Sequence, residues 1–171
     1  ALRKFALEYD HVELDDLFVT EEELLASADQ VGEELKAAIH VAKENIEKFH
    51  LAQKESPITV ATMPGVVCRR KSIPVNRVGL YVPGGTAPLF STALMLGIPA
   101  KIAGCKEIII ASPTGSMGQV NATVLYVAHL LGIKKILKIG GAQAIAALAY
   151  GTESVPKVDK IFGPGNQYVT A

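Results

Sequence analysis

The stretch KILKIGGAQAIAALAYGTESVPKVDKIFGPGN, Lys135 to Asn166, decides the fold. Lys135 to Ile139 is a short apolar run, and Gly140-Gly141-Ala142-Gln143 turns the chain. Ala142 to Tyr150 has helix length, and Val158 to Phe162 is again strand-like. A second Gly-rich turn, Gly163-Pro164-Gly165-Asn166, follows. Strand, turn, helix and strand at this spacing make a βαβ unit, with parallel strands and a right-handed crossover.

The same grammar extends upstream. Val78 to Val82 and Glu107 to Ala111 are further strand-like runs. Leu89 to Ala103, with a break or kink expected near Pro99, and Val120 to Leu131 are the helices between them. In a parallel sheet of this kind all strand C-termini share one edge, where ligands bind. The loops on that edge are Pro83 to Pro88, Ser112 to Ser116, Gly140 to Gln143 and Gly163 to Asn166, all rich in Gly, Pro and small polar residues. Opposite-edge turns such as Gly104-Cys105-Lys106 and Gly132-Ile133-Lys134 are plainer, so the C-terminal edge is the working edge.

The first 57 residues read as helical. Leu2, Phe5, Ala6 and Tyr9 form a short apolar stripe, and Asp15 to Val19 reads as a brief extended link. Thr20 followed by Glu23 is a capping box, predicting one long helix from there to about Glu55. Val31, Leu35, Ala38, Ile39, Ala42, Ile46 and Phe49 lie on its apolar face. Its other face, with Glu34, Lys36, Lys43, Glu44, Glu47 and Lys48, reads as solvated. Ile58 to Met63 and Val66 to Lys71 around Pro64-Gly65 predict a hairpin. The fold class is therefore α/β, an incomplete Rossmann-like parallel sheet preceded by N-terminal helices and a hairpin. Residues 1–77 read as part of a first domain and residues 78–171 as a Rossmann-like domain cut short at its C-terminus.

Composition narrows the function. With 17 basic and 17 acidic residues the formal charge is +0, which argues against nucleic acid or an anionic membrane as partner. No tryptophan and few aromatics argue against a base-stacking surface. Cys68 and Cys105 sit in no CxxC or Cys/His cluster, so a reduced, cytosolic compartment with both as buried small apolar residues is the simplest reading, and a disulfide is the minor alternative. The most apolar window, Leu89 to Gly104, is broken by Gly97 and Pro99 and is too short to span a bilayer. No signal peptide is legible at Ala1. Lacking an initiating Met and stopping five residues past Asn166, the chain reads as cut at both ends.

The Gly-rich turns are candidate anion or nucleotide sites, since a helix N-terminus presents bare N–H donors. None is a standard fingerprint. Gly163 and Gly165 are followed by Tyr168 where GxGxxG needs glycine, Walker A is absent, and the second strand ends in Ser112 rather than a ribose-holding acid. On spacing alone a helix N-cap is the favoured role for Asn166 and solvation for Gln143, while for Tyr81 a half-buried strand-end ring weighs the same as a ligand contact. His11, His40, His50 and His129 do not cluster. No complete catalytic constellation is legible.

Three long strings carry a resemblance. VGLYVPGGTAPLFSTALMLGIPAKIAGC (Val78–Cys105), GGAQAIAALAYGTESVPKVDKIFGPGNQYVTA (Gly140–Ala171) and NIEKFHLAQK (Asn45–Lys54) closely resemble the L-histidinol dehydrogenase family. The likeness covers essentially the whole chain. It implies an aldehyde-dehydrogenase-like architecture and a cytoplasmic homodimer. It also implies oxidation of L-histidinol through L-histidinal to L-histidine with two NAD+, with zinc holding the substrate. Carried over by motif, the NAD contacts fall on Tyr81 in GLYVPGG, Gln143 in GGAQAIAAL and Asn166 in GPGN. The family's zinc ligands (a Gln, two His and an Asp) and its Glu/His pair lie downstream of that last motif. The resemblance therefore implies no catalytic or metal residue in this chain, which alone is expected to be inactive without its missing C-terminal half. A stand-alone nucleotide-binding or assembly module, or another aldehyde-dehydrogenase-like oxidoreductase, are the alternatives.

Overall fold

A computed structural model describes residues 1–84 and 89–164. Strands β3 (Arg77–Tyr81), β4 (Glu107–Ala111), β5 (Lys135–Leu137) and β6 (Lys160–Phe162) form a sheet in the order β5-β4-β3-β6, every neighbouring pair parallel. Helices α4 (Phe90–Ala103), α5 (Ala122–Leu130) and α6 (Gly141–Tyr150) are the crossovers. The expected βαβ grammar holds, with β4 matching residue for residue. α4 runs unbroken through Pro99, where a break or kink was expected.

Alternation along the strands divides the core in two, as period-2 side-chain geometry requires. Val78, Leu80, Ile110 and Ile136 pack with α4 and α5, through residues such as Leu94, Ile98 and Val127. Tyr81, Ile109, Ala111 and Leu137 pack on the other side with Ala144, Ala147 and Leu148 of α6. Two steps of the chain move outward from β3 to β4 to β5. The third returns across the sheet to β6 on the far side of β3. β3 is thus the strand where the order reverses, the place where open α/β sheets form a ligand crevice.

The N-terminal segment covers both faces. Helix α1 (Leu2–Phe5) runs into a π-helical turn, Ala6–Asp10, closed by His11 in the left-handed region at φ 56°. Ala6, Val12 and Leu14 join the core beside α6. The expected extended link is real and pairs with the sheet: Val19 N–H donates to Ile136 C=O at 2.9 Å and Lys138 N–H to Leu17 C=O at 2.8 Å. This short antiparallel pairing covers the β5 edge.

The single long helix expected from Thr20 to Glu55 is instead two. The capping box forms, with Thr20 Oγ1 accepting from Glu23 N–H at 3.1 Å and Glu23 Oε2 accepting from Thr20 N–H at 2.8 Å. It opens only α2 (Glu21–Ala26), which tightens into a 3₁₀ turn at Ser27–Gln30 before α3 (Glu33–Ala52) begins. The buried Ser27 hydroxyl donates to Leu24 C=O at 2.6 Å, and Val31 leaves helical geometry to enter the core. A local hydroxyl–carbonyl bond competing with the helix, plus burial of Val31, outweighs propensity there. The hairpin of β1 (Ile58–Met63) and β2 (Val66–Arg70) forms as expected and is exposed along its full length.

Candidate functional site at the C-terminal sheet edge

A cleft of about 900 Å³ opens at the predicted edge. Its lining comes from the ends of three strands and from the N-terminal turn: Tyr81, Pro83, Pro113, Gly141, Gln143 and Asp10 among others. That volume lies within the range of small-molecule sites.

Tyr81, the last residue of β3, is nearly buried, with 5% exposure. Its hydroxyl accepts from Gly141 N–H at 3.0 Å, tying the end of β3 to the start of α6. Gly141 sits at φ 66°, a conformation that side chains with a Cβ rarely adopt. A Cβ there would stand 2.7 Å from Gln143 Oε1, so the Gln143 carboxamide lies close over the first turn of the helix. Pro113, leaving β4, fills the space between the neighbouring loops. Its ring would meet a Cβ on either Gly84 or Gly140 at 2.6 Å. The glycines of these turns thus serve close packing as well as exposure of the backbone.

The Gly-rich turn does not present all its donors freely. Tyr81 occupies the Gly141 N–H, which leaves the next N–H groups of the first turn, those of Ala142 and Gln143, without intrahelical acceptors. Tyr81 and Gln143, two of the three predicted contacts, line one cleft. Asn166 lies outside the described residues.

Sequence reasoning missed Asp10, Phe5 and Tyr9. The stripe Leu2-Phe5-Ala6-Tyr9 reads as core, yet only Ala6 of the four is fully buried, and Phe5 and Tyr9 line the cleft. Burial pushes the Asp10 carboxyl above its ordinary range, partly offset by His11. Its Oδ2 is shut off from solvent without a hydrogen-bond partner among the described residues. No signal in the sequence shows that this turn docks beside Tyr81.

The sequence model described as histidinol dehydrogenase matches residues 1–171. This chain belongs to the histidinol dehydrogenase family. Histidinol dehydrogenase of Bacteroides fragilis (strain YCH46) is 59% identical over 163 residues, 95% of this chain and 38% of that protein. That of Escherichia coli (strain K12) is 53% identical over 170 residues, 99% of this chain and 38% of that protein. The crystal structure of histidinol dehydrogenase from Elizabethkingia anophelis superposes with a TM-score of 0.96 at 50% identity, covering 99% of this chain and 39% of that one. This histidinol dehydrogenase family chain therefore spans about two fifths of the length of its relatives.

Among the described residues no group of three His, Cys, Asp or Glu side chains could hold a metal ion. No described helix is long and apolar enough to cross a membrane. The His40 imidazole shares a hydrogen bond with the Tyr126 hydroxyl at 3.2 Å, and the His50 ring one with the Gln53 carboxamide at 2.7 Å.

Proposed function

We propose that this chain is the cofactor-binding part of a longer histidinol dehydrogenase, and that its cleft takes NAD+. The observation that carries the reading is the meeting of Tyr81, Gly141 and Gln143 at one mouth, in a chain of this family. The residues suit such a ligand. The first turn of α6 offers N–H donors to a pyrophosphate. Gln143 can donate and accept, and Tyr81, Pro83 and Pro113 offer apolar faces to a flat ring. Asn166 is the third proposed contact, by its motif alone. Residues 78–171 are proposed as the cofactor domain and residues 1–77 as part of a first domain that also walls the cleft.

The complete enzyme oxidises L-histidinol through L-histidinal to L-histidine with two NAD+, and works as a cytoplasmic homodimer. Bound NAD+ supplies the hydride acceptor. This chain's residues position it: Tyr81 fixes the turn, and Gln143 holds its carboxamide over the helix start. By the family's motif order, the zinc ligands and the acid–base pair are assigned to the remainder of the protein.

Calorimetric titration of the complete protein with NAD+ tests the reading. Binding that weakens on Gln143→Ala is expected, while absent binding, or binding indifferent to both Tyr81 and Gln143, would refute it. The 171-residue chain alone, given L-histidinol, NAD+ and zinc, is expected to release no NADH; robust release would show that the chemistry resides here.

A further inference from the structure

Rossmann-type sites commonly place an acid after the second strand to hold a ribose, and here that position is the buried Ser112. The cleft has a carboxyl from elsewhere. Asp10 ends the π-helical turn Ala6–Asp10, and His11, in the left-handed region, closes that turn. Single π-turns are uncommon and occur frequently at functional sites. Asp10 lines the same cleft as Tyr81 and Gln143, and its Oδ2 is withheld from solvent with no donor among the described residues.

With Oδ2 shut in and unpaired, the carboxylate is costly, so donors that a ligand brings to the side of the group that lines the cleft are rewarded. The donor's character follows from the wall around it. A carboxylate repels phosphate, so this side of the cleft does not take the pyrophosphate. Beside it stand the stacked rings of Phe5 and Tyr9, centroids 6.0 Å apart, with Tyr9 63% exposed. Neutral hydroxyl donors attached to a flat ring system describe a nucleoside.

We propose that Asp10 accepts hydrogen bonds from the vicinal ribose hydroxyls of the nucleotide in this cleft, supplying from the N-terminal turn the acid that β4 lacks. The assignment rests on the NAD+ reading above and adds a contact from residues 1–77. Burial raises the Asp10 pKa, in keeping with a carboxyl that lacks its donor until ligand arrives.

The test compares Asp10→Ala with the parent in the complete protein. Each is titrated with NAD+ and with two analogues, lacking the 2′- and 3′-hydroxyls of either the adenosine or the nicotinamide ribose. Removing a charge-assisted contact is expected to weaken NAD+ about tenfold or more. One analogue is expected to bind parent and variant alike, which names the ribose involved. Equal NAD+ affinity in the variant overturns the proposal. So does an equal loss for NAD+ and both analogues, which would mark general damage to the cleft. A parent that binds no NAD+ overturns the NAD+ reading as well, whereas NAD+ binding indifferent to Asp10 overturns this inference alone.

Discussion

The Tyr81 hydroxyl accepts the Gly141 backbone N–H at 3.0 Å, so the last residue of β3 fixes the first residue of α6, 60 positions further along the chain. The bond joins two loops that the sheet brings to one edge, and it consumes a donor that a ligand would otherwise find free.

Tyr81→Phe isolates that bond, because the ring and its packing beside Ile109 and Leu148 remain. Gly141 N–H then loses its acceptor at a partly buried position. The expected loss of stability is about 1 kcal/mol in urea unfolding, the usual net worth of such a bond. NAD+ affinity measured by calorimetry is expected to fall with it, because the first turn of α6 is no longer held. Unchanged stability would mean that water replaces the hydroxyl without loss.

Gly141→Ala attacks the same turn through the backbone. At φ 66° an alanine costs about 1–2 kcal/mol. Its Cβ would also lie 2.7 Å from Gln143 Oε1, forcing the carboxamide aside. Stability and NAD+ binding are both expected to drop. Gln143→Ala in the same background should then cost little further binding, since the side chain is already displaced. A full additional loss on calorimetry would show that Gln143 acts independently of the turn.

The parts of this structure legible in the sequence are those fixed by local pattern. β4 at Glu107–Ala111 carries the apolar run Ile108 to Ala111 between turn residues, and it ends where that run stops. Tyr81 and Gln143 could be placed on one edge because parallel topology alone puts strand C-termini together. The helix break at Ser27–Gly32 was not legible, since Ser27 and Val31 fit helical periodicity and only packing on the sheet separates α2 from α3. Asp10 was not legible either. Nothing in Tyr9-Asp10-His11 encodes a π-turn, or the long-range docking that brings it to the cleft.

Asp10 also makes a stability prediction of unusual sign. Its folded pKa lies above the ordinary value because of burial, so ionisation opposes folding. The penalty is absent below the unfolded pKa and fully present once pH exceeds the folded one. Asp10→Asn removes the titration, so at neutral pH the variant is expected to melt higher than the parent in the absence of nucleotide. The gap should close as pH falls below about 4. Paired thermal melts at neutral and acid pH check this. A lower melting temperature for the variant at neutral pH would show that the carboxylate is satisfied in the free protein.

Glu23 carries the opposite sign and links two structural levels at once. One carboxylate oxygen completes the capping box on Thr20 N–H, and the other accepts from Lys138 Nζ at 2.7 Å. Burial alone would raise its pKa. The hydrogen bonds from Lys138 and Thr20, with the attraction of the ammonium, outweigh that and hold it below the ordinary value of 4.5. A depressed carboxyl contributes stability above its unfolded pKa and loses it as pH falls through the folded one. The parent should therefore weaken in acid below about pH 4.5, and Glu23→Gln should flatten that part of the profile. Glu23→Ala is harsher, because it removes half the capping box and strands a lysine whose side chain is only 9% exposed. A loss of about 2 kcal/mol is expected, between the worth of a helix cap and that of a broken buried pair. Lys138→Met in the Glu23→Ala background should recover part of it, since the apolar stem refills the space without a buried charge. Urea unfolding of the two single variants and the double variant decides the matter: a double variant no more stable than Glu23→Ala would show that the lysine charge is already solvated.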